Sequence, residues 1–323
     1  MSYDDLIKEG IVKNEKGECF APYNGIQSIM HCEGVKSERG LYRVWISNLQ
    51  KMIRRGKLNE AITSMIECVE TGDIFKTNVI NRLAKVIVSE DIGLANPNLP
   101  LYCAKLIKKE LTNDDLLQLV YILIKSKKSR LIDNLYHHCD KTFNYKFEEA
   151  FSMLKEAVKN KNLVEAVSYL NNCIEVSSGS KKMIVINEVK KRQQIYEVWD
   201  YILRKSGDVY DVNYALLELY VSQEKNSGKK LNIIQALLNI MFKDKIDFYK
   251  LEVEKYKGEW KRDLEVWPSS ISYDKHSINN ASRLGRGSEF FFKYGARLIN
   301  KSDDKWLSEM EEKYTVSSKL KNT

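Results

Sequence analysis

The residues best suited to chemistry are concentrated between Trp267 and Ile299. Asp274 and His276 lie two positions apart, so on an extended strand or in a loop both side chains could point into one cleft. Asp274 could activate a water molecule or stabilise an oxocarbenium ion, and His276 could hold a phosphate or shuttle a proton. The alternative is that the pair makes only local hydrogen bonds or binds phosphate without catalysis.

The same segment has the groups that a nucleic-acid site needs. Between residues 274 and 301 there are six Lys or Arg and two acids. The candidate phosphate contacts in this stretch are Lys275, Arg283 and Arg286. Tyr273 and Phe291 offer aromatic faces on which a flipped base could stack, although a run of phenylalanines could instead close a core.

Metal ligands are not arranged in any recognisable pattern. Asp274 and His276 could be two of three ligands, but no third occurs at a useful spacing. None of the six cysteines forms a C-x-x-C pair. We therefore expect neither a metal nor another cofactor. Unpaired cysteines and a polar N-terminus without a signal peptide favour a reducing, cytoplasmic compartment.

Two short basic runs could contact DNA phosphates in a salt-dependent, sequence-independent way. The first contains Arg54 and Arg55, and the second contains Lys127 and Lys128. The net charge of +8 permits such binding. Cations are also favoured at helix C-termini by the helix dipole, so the runs could have only that role.

Composition predicts an all-α protein, because 323 residues include only 4 prolines and 15 glycines. Apolar residues recur at helical spacing in most of the chain, which predicts a multi-helix bundle. The predicted helices include Leu58 to about Glu70, roughly Ile74 to Glu90, Phe147–Val158 and Leu231–Lys255. Loop-rich stretches and breaks suggest four regions: 1–40, 41–140, 141–257 and a polar tail at 258–323. No apolar run approaches the ~18 residues of a membrane span, so we expect no membrane partner.

One stretch of sequence occurs twice at a constant offset of 105 residues. Leu58-Asn59-Glu60-Ala61-Ile62 is followed by Met65 and Cys68, and Leu163-Val164-Glu165-Ala166-Val167 is followed by Leu170 and Cys173. Either the chain contains a duplication, or two amphipathic helices share a common Leu/Ala pattern. Both alternatives predict helices packed on helices.

Two motifs in the first half resemble a known family. The segment Leu49-Gln50-Lys51-Met52-Ile53-Arg54-Arg55-Gly56 and the later Ser89-Glu90-Asp91-Ile92-Gly93-Leu94-Ala95-Asn96-Pro97 are similar to the C-terminal region of MgsA/RarA-type AAA+ ATPases. The basic segment 125–130 also looks like a segment of that family. The resemblance covers about residues 41–140. It implies an all-helical, multi-helix bundle resembling the clamp-loader collar, an oligomer of identical chains and a link to DNA metabolism.

The resemblance does not extend to ATP hydrolysis. Only 40 residues precede the match, and no G-x-x-x-x-G-K-[ST] sequence occurs, so we expect no ATPase activity. Within Ser89–Pro97, turn chemistry accounts for each residue type, which favours a structural role for this motif.

Three functional hypotheses follow. The first is a DNA-acting hydrolase of the glycosylase type, directed at a base or sugar of foreign or modified DNA, with Asp274 and His276 catalytic. The second is a non-catalytic DNA-binding or replisome adaptor that oligomerises through its helical collar. The third is a helical protein-interaction module without a nucleic-acid role.

Overall fold

The computed structural model describes residues 12–13, 19–20, 38–139, 145–178, 186–222, 229–248, 254–263 and 301–314. In these residues the protein is predominantly helical, which confirms the all-α class. Two strands of two residues each, Val12–Lys13 (β1) and Cys19–Phe20 (β2), pair in antiparallel orientation. The finer expectation, a collar like that of clamp loaders, stays a prediction.

The α-helices are named here in chain order. They are α1 (Glu38–Arg54), α2 (Leu58–Glu70), α3 (Asp73–Asn81), α4 (Leu99–Leu106), α5 (Asn113–Lys125), α6 (Leu131–His138), α7 (Phe147–Lys159), α8 (Leu163–Ser178), α9 (Ile186–Ser206), α10 (Tyr210–Val221), α11 (Lys229–Met241) and α12 (Lys305–Lys313). Arg82–Ile92 is a wider π-helical segment, and Gly93–Ala95 and Gly207–Val209 are short 3₁₀ turns.

The chain forms two units that are interleaved along the sequence. The first unit consists of Met1–Leu83, Glu110–Ser126 and Val253–Lys301, and the second consists of Ala84–Lys109, Lys127–Glu252 and Ser302–Thr323. The sequence suggested consecutive regions instead. Packing joins stretches that are far apart in the chain, and local composition carries no record of such pairings.

Helices α1, α2 and α5 pack on one another in the first unit. Leu49, Ile53, Met65 and Leu116 are fully buried there. Helix α2 buries Cys68 and every residue from Ala61 to Ile66, including the polar Thr63 and Ser64, so it is covered on more than one face. Helix α5 begins with a capping box, in which Thr112 and Asp115 satisfy each other's backbone amides.

The second unit surrounds one large apolar core. Helices α7 and α8 form a hairpin, while α11 contacts α6, α8, α9 and α10. Trp199 of α9 is fully buried and meets Tyr220 of α10 edge-on, with ring centroids 5.5 Å apart. Such aromatic contacts add specific geometry to area burial. This core holds the helices that carry the buried polar cluster described below.

The repeated sequence stretch lies in two helical hairpins that share the same turn. In the first hairpin Lys57 N donates to Met52 O at 2.9 Å, and 105 residues later Asn162 N donates to Ala157 O at the same distance. The residue before each donor has positive φ, +68° at Gly56 and +52° at Lys161. Both turns are therefore Schellman caps, and the offset extends from sequence to backbone geometry.

The sequence pattern predicted one helix from Ile74 to Glu90, whereas the structure has α3 followed by the π-helical segment. From Leu83 to Ser89 every residue is buried, so no polar face marks a change of winding. π-Helical turns are rare and give no periodicity that distinguishes them from α-helix over so few residues.

The prediction of a helix from Leu231 to Lys255 is wrong at its C-terminal end. Helix α11 ends at Met241, and Ile246 N bonds back to Phe242 O in a turn. That turn places Ile246 in the core with 8% of its surface exposed. Residues 254–263 are irregular rather than helical. Apolar residues continue at helical spacing beyond Met241, so burial of Ile246 overrides the local pattern.

The two Schellman turns predict opposite effects of substitution. Gly56→Ala should lower the free energy of unfolding by about 1 kcal/mol, because alanine is strained at positive φ. Nothing lies within 4 Å of a Cβ at Gly56, so no clash adds to this cost. Lys161→Gly should raise stability by up to about 1 kcal/mol, because glycine relieves the left-handed strain.

Urea denaturation of both variants checks this pair of effects. The exposed ion pair between Lys161 and Asp244, at 3.5 Å, contributes little and should not mask the gain. A loss of stability in Lys161→Gly would show that the side chain of Lys161, rather than its backbone strain, dominates at this turn.

Candidate functional site

The residues with predicted catalytic and base-stacking roles lie outside the described residues. They are Tyr273, Asp274, Lys275, His276, Arg283, Arg286 and Phe291. The assignment of catalysis to Asp274 and His276 therefore stays a prediction. The described candidates are Arg54, Arg55, Lys127 and Lys128.

The conspicuous motif Ser89–Pro97 and the basic run at 127–130 meet in the second unit. Ser129 N donates a hydrogen bond to Asp91 O at 3.0 Å. Gly93 has φ +49°, and a Cβ at this position would lie 2.6 Å from Ile132 Cδ1. The positive φ favours glycine at this turn, and a Cβ would also displace the end of the Ile132 side chain on α6. The two segments form one packed structure, which fits the structural role expected for the motif.

Arg130 is the centre of a charge cluster in this structure. It pairs with Asp133 through Nη2, and lies 3.8 Å from carboxylate oxygens of both Glu90 and Asp91. His137 Nε2 lies 3.5 Å from Asp133 on the exposed side. Burial alone would lower the pKa of Arg130, but the surrounding carboxylates raise it above its ordinary value. Three acids around one guanidinium leave no excess positive charge for a phosphate.

Lys128 is fully buried next to this cluster. Burial lowers the pKa of its ammonium to about 7, and the carboxylate of Asp91 opposes part of that change. A side chain without exposed surface cannot reach a polyanion in solution. The structure therefore does not support the prediction that Lys128 contacts DNA phosphates, because its side chain packs into the core instead.

The side chain of Lys127, unlike that of Lys128, is partly exposed, and it is paired with an acid. Its Nζ lies 3.0 Å from Asp303, which precedes α12. The backbone of the next residue holds the same segment, since Ser302 N donates to Lys128 O at 3.0 Å. About half of the Lys127 side chain is exposed, so a phosphate would compete with Asp303 for it.

The buried face of α11 adds neutral polar groups. Ser89 Oγ lies 2.8 Å from Asn232 Oδ1 and 2.7 Å from Gln235 Oε1. A hydroxyl has one proton, so Ser89 can donate to only one of these two amide oxygens at a time. Asn239 in turn donates to Asn213, and Asn213 to Ser206, at 2.8 Å each. These bonds fix the register of α11 against its neighbours.

The first basic run lies in the first unit and is largely covered. Arg54 has 9% of its surface exposed and Lys51 has 5%, while Arg55 is half-buried. Lys57 is exposed and lies 3.5 Å from Glu60. In this conformation Arg55 offers more surface than Arg54 to a phosphate, and the run forms no continuous exposed basic stripe.

An irregular segment, residues 254–263, contacts α2 and α5 of the first unit. Gln118 binds it at two points, accepting from Tyr256 N at 2.7 Å and donating to Glu254 O at 2.8 Å. Tyr121 stacks on Tyr256 with ring centroids 5.1 Å apart. We call residues 254–263 the strap. It is held by backbone hydrogen bonds as a peptide ligand would be.

The end of the strap is fixed as firmly as its beginning. Asp263 N donates to the buried hydroxyl of Thr63 at 3.2 Å, and Arg262 pairs with Glu67 at 3.0 Å and with Glu70. Beside the strap is an open groove of about 420 Å³, lined by Asn59, Ile62, Tyr256, Glu259, Lys261, Arg262 and Asp263. Its acids and bases are mixed, so the groove has no pronounced preference for an anion.

The described residues contain no group of three or more His, Cys, Asp or Glu that could hold a metal ion. Cys68, Cys103, Cys139 and Cys173 are free and buried. Burial raises the pKa of the Cys173 thiol to about 12, so it behaves as a small apolar side chain rather than a nucleophile. No helix in the described part of the chain is both long enough and apolar enough to cross a membrane.

Comparison of the chain with protein-family models, with curated proteins and with solved structures finds no match. The resemblance to MgsA/RarA-type ATPases therefore remains a prediction from the two motifs.

Sequence reasoning missed the partners that decide what the cations do. Asp133, Gln118 and Asp303 had no role in the sequence interpretation, yet each binds a residue or segment discussed above. Asp133 follows Arg130 at i+3, a spacing that favours an ion pair on a helix and could have indicated the cluster. Nothing in the sequence relates Gln118 to Tyr256.

The buried ammonium of Lys128 predicts a pH dependence of stability. Its folded pKa of about 7 lies below the unfolded value near 10.4, so the unfolded chain binds more protons between these limits. Lys128 by itself should therefore add to the free energy of unfolding as pH increases from about 7 to 10, whereas the buried thiols, whose pKa values are raised, subtract from it above about pH 8.5. Lys128→Met should lose the contribution of Lys128, which is on the order of 3–4 kcal/mol at most.

Urea denaturation at pH 7, 8 and 9 checks the difference between the two proteins. Lys127→Met is the matched control, since its ammonium faces Asp303 and solvent and should leave the pH dependence unchanged. Parallel curves for the original protein and Lys128→Met would mean that Lys128 stays protonated in the core.

Proposed function

We propose that this chain is a DNA-binding protein of DNA metabolism, in which the helices form a platform and residues 267–299 contact the DNA. The proposal is supported by the positions of the cations on the helices, which are either paired with acids or buried. Arg130 and Lys127 are paired with acids, and Lys128 and Arg54 are buried. The segment 274–301 has six Lys or Arg against two acids and is therefore the better candidate for a polyanion.

The strap supports the same proposal. It leads directly into the cation-rich segment, and its last described residue, Asp263, is bonded to Thr63 of α2. A DNA-contacting segment that starts from a fixed point loses less entropy on binding than one that starts from a free chain. Arg283 and Arg286 would supply the phosphate contacts, with Lys275 beside them.

Catalysis is a further part of the proposal. Asp274 and His276 lie within the same segment, and an aspartate near a bound sugar could stabilise positive charge at its anomeric carbon. The activity would be hydrolysis at a base or sugar, as in a DNA glycosylase. Tyr273 and Phe291 would hold the extruded base by stacking.

A second candidate is an adaptor or interaction module that assembles through its helices. One observation favours it: exposed cations of the second unit are matched by acids. Examples are Lys108 with Glu218 at 2.5 Å, Lys243 with Asp208 at 3.4 Å and Arg204 with Asp200 at 2.8 Å. Surfaces of mixed charge suit protein partners better than DNA.

DNA binding is tested by fluorescence anisotropy with labelled single-stranded and double-stranded oligonucleotides over a range of salt. Binding should weaken as salt rises, and Arg283→Gln with Arg286→Gln should reduce the slope by about 0.9 for each phosphate that is no longer neutralised. The control is Arg204→Gln, an exposed arginine on α9 that pairs with Asp200. Affinity that is absent, or that falls equally in the control, contradicts the proposal. Tighter binding of RNA oligonucleotides of the same sequence would show that the bound nucleic acid is RNA rather than DNA.

Catalysis is tested by incubating modified and unmodified DNA with the protein and counting abasic sites. Asp274→Ala should lower their formation by a factor on the order of 10² or more, as expected for loss of a charge-stabilising group. Arg283→Gln should weaken binding more than turnover. If the original protein and Asp274→Ala form equally few abasic sites, the hydrolase hypothesis is rejected and only the DNA-binding proposal remains.

A further inference from the structure

The strap, residues 254–263, is attached to α2 and α5 without burying any of its own residues. Six of its ten residues are exposed and the other four are half-buried. Its hydrogen bonds to Gln118, Tyr121 and Thr63 are exposed or only partly buried. Segments with few buried apolar contacts open at a lower free-energy cost than a helical core does. The strap can therefore leave its site while the helices beneath it stay folded.

Much of the binding beneath the strap is directed at its backbone. The side-chain amide of Gln118 accepts from Tyr256 N at 2.7 Å and donates to Glu254 O at 2.8 Å. At the other end the Thr63 hydroxyl accepts from Asp263 N at 3.2 Å. Backbone hydrogen bonds give affinity for a peptide of the right shape, and side-chain contacts add specificity. The site therefore has the first of these two elements of peptide recognition.

One end of the site adds an aromatic contact. The ring of Tyr121 on α5 lies 5.1 Å from the ring of Tyr256, measured between centroids. The hydroxyl of Tyr121 donates to a carboxylate oxygen of Glu254 at 3.1 Å. A ring and a hydroxyl on one side chain suit an aromatic residue that follows an acid by two positions. The site therefore favours a segment with this order of residues.

The other end of the site is acidic. Glu67 of α2 lies 3.0 Å from Arg262 Nε, and Glu70, one turn further along α2, pairs with Arg262 Nη2. Burial raises the pKa of Glu67, and the charge of Arg262 opposes that rise. Two carboxylates held one turn apart match the planar fork of a guanidinium better than the point charge of an ammonium. An arginine six positions after the aromatic residue is therefore the third feature that the site recognises.

The strap does not fill the space beside it. An open groove of about 420 Å³ lies between the strap and α2, and Asn59 and Ile62 form its helical side. On the other side the strap contributes charged residues such as Glu259 and Lys261. A peptide with an apolar side chain at this position could bury it against Ile62 and gain binding free energy. A different segment can therefore bind this site more tightly than the strap does.

We propose that the surface of α2 and α5 beneath the strap is a peptide-binding site, in which the strap is the resident ligand and a non-helical segment of another protein displaces it. That segment has an acid, an aromatic residue two positions later and an arginine six positions after the aromatic. It also has an apolar side chain that enters the open groove. The strap has the first three features but places charged side chains at the groove. The inference concerns a protein partner and does not depend on DNA binding.

Attachment to the chain gives the strap an advantage over a free peptide. A tethered segment has an effective concentration on the order of 1 mM. With a dissociation constant on the order of 100 µM for the open site, the strap occupies it about 90% of the time, and a free peptide of the same sequence binds about tenfold more weakly. A tenfold factor corresponds to about 1.4 kcal/mol, which burial of roughly 55 Å² of apolar surface in the groove offsets.

Fluorescence anisotropy of a labelled synthetic peptide of residues 252–265, added to the full chain, tests the proposal. Tyr256→Ala combined with Arg262→Ala removes the aromatic contact and the ion pairs of the attached strap. The peptide should bind this strap-weakened chain about tenfold more tightly than the original chain. Lys261→Ala is the matched control on the strap, because within the described residues its exposed side chain forms no hydrogen bond or ion pair. It should bind the peptide as the original chain does.

A charge exchange at Glu70 tests the acidic end of the site. In the strap-weakened chain, Glu70→Arg should weaken binding of the original peptide at least several-fold. It should strengthen binding of a peptide with Arg262→Glu, because the ion pair is then reversed. A variant that had lost its fold would bind neither peptide. Glu70 is exposed, so the substitution disturbs no core packing.

Several results would overturn the proposal. They are equal affinity of the original and strap-weakened chains for the peptide, equal affinity for a peptide of the same residues in scrambled order, and no difference between the two peptides in Glu70→Arg. Circular dichroism checks that the variants keep their helix content. If the double variant does not fold, Arg262→Ala alone replaces it, with a several-fold gain expected. DNA anisotropy is a separate measurement on the same samples, so failure of peptide binding leaves the DNA proposal standing.

Discussion

The second unit depends on the ion pairs of Arg130 with Glu90, Asp91 and Asp133. Burying a charge costs free energy unless the charge is paired and hydrogen-bonded. The pairing of these four side chains offsets that cost. Asp91 lies at the end of the π-helical segment, just before the tight turn at Gly93, and Arg130 immediately precedes α6. The cluster therefore joins two stretches that are about 40 residues apart in the chain, and removing Arg130 would leave three acids without this shared partner.

These ion pairs change the role that can be assigned to the basic residues. A run such as Lys127-Lys128-Ser129-Arg130 resembles a phosphate-binding stretch, yet its three cations face an acid, the core and an acid cluster respectively. Their energetic role is therefore internal to the second unit. In the first unit the strap is held through its backbone, to which Gln118 and Thr63 bond.

The two hairpins with the same turn show that helix packing can override the local preference for glycine at positive φ. Gly56 and Lys161 adopt the same left-handed conformation, but only glycine does so without strain. The hydrogen bonds from Lys57 and Asn162 are nevertheless equivalent, so helix packing on either side of the turn imposes the cap geometry even on a lysine. The correspondence extends from sequence to backbone in two different units, and both the duplication and the common helix pattern predict it.

The sequence by itself determined the helical class and many helix limits, since α2 runs over Leu58–Glu70 and α7 begins at Phe147 as the apolar period predicted. Apolar periodicity, glycines and cap residues act within a few positions of the chain, so their effects can be predicted from the local sequence. The sequence did not determine the end of α11, the π-helical winding or the burial of Lys128. The end of α11 goes with the burial of Ile246, and Lys128 is buried beside Asp91, which is distant from it in the sequence. Only the tertiary structure decides these features, because desolvation and ion pairing depend on distances in space.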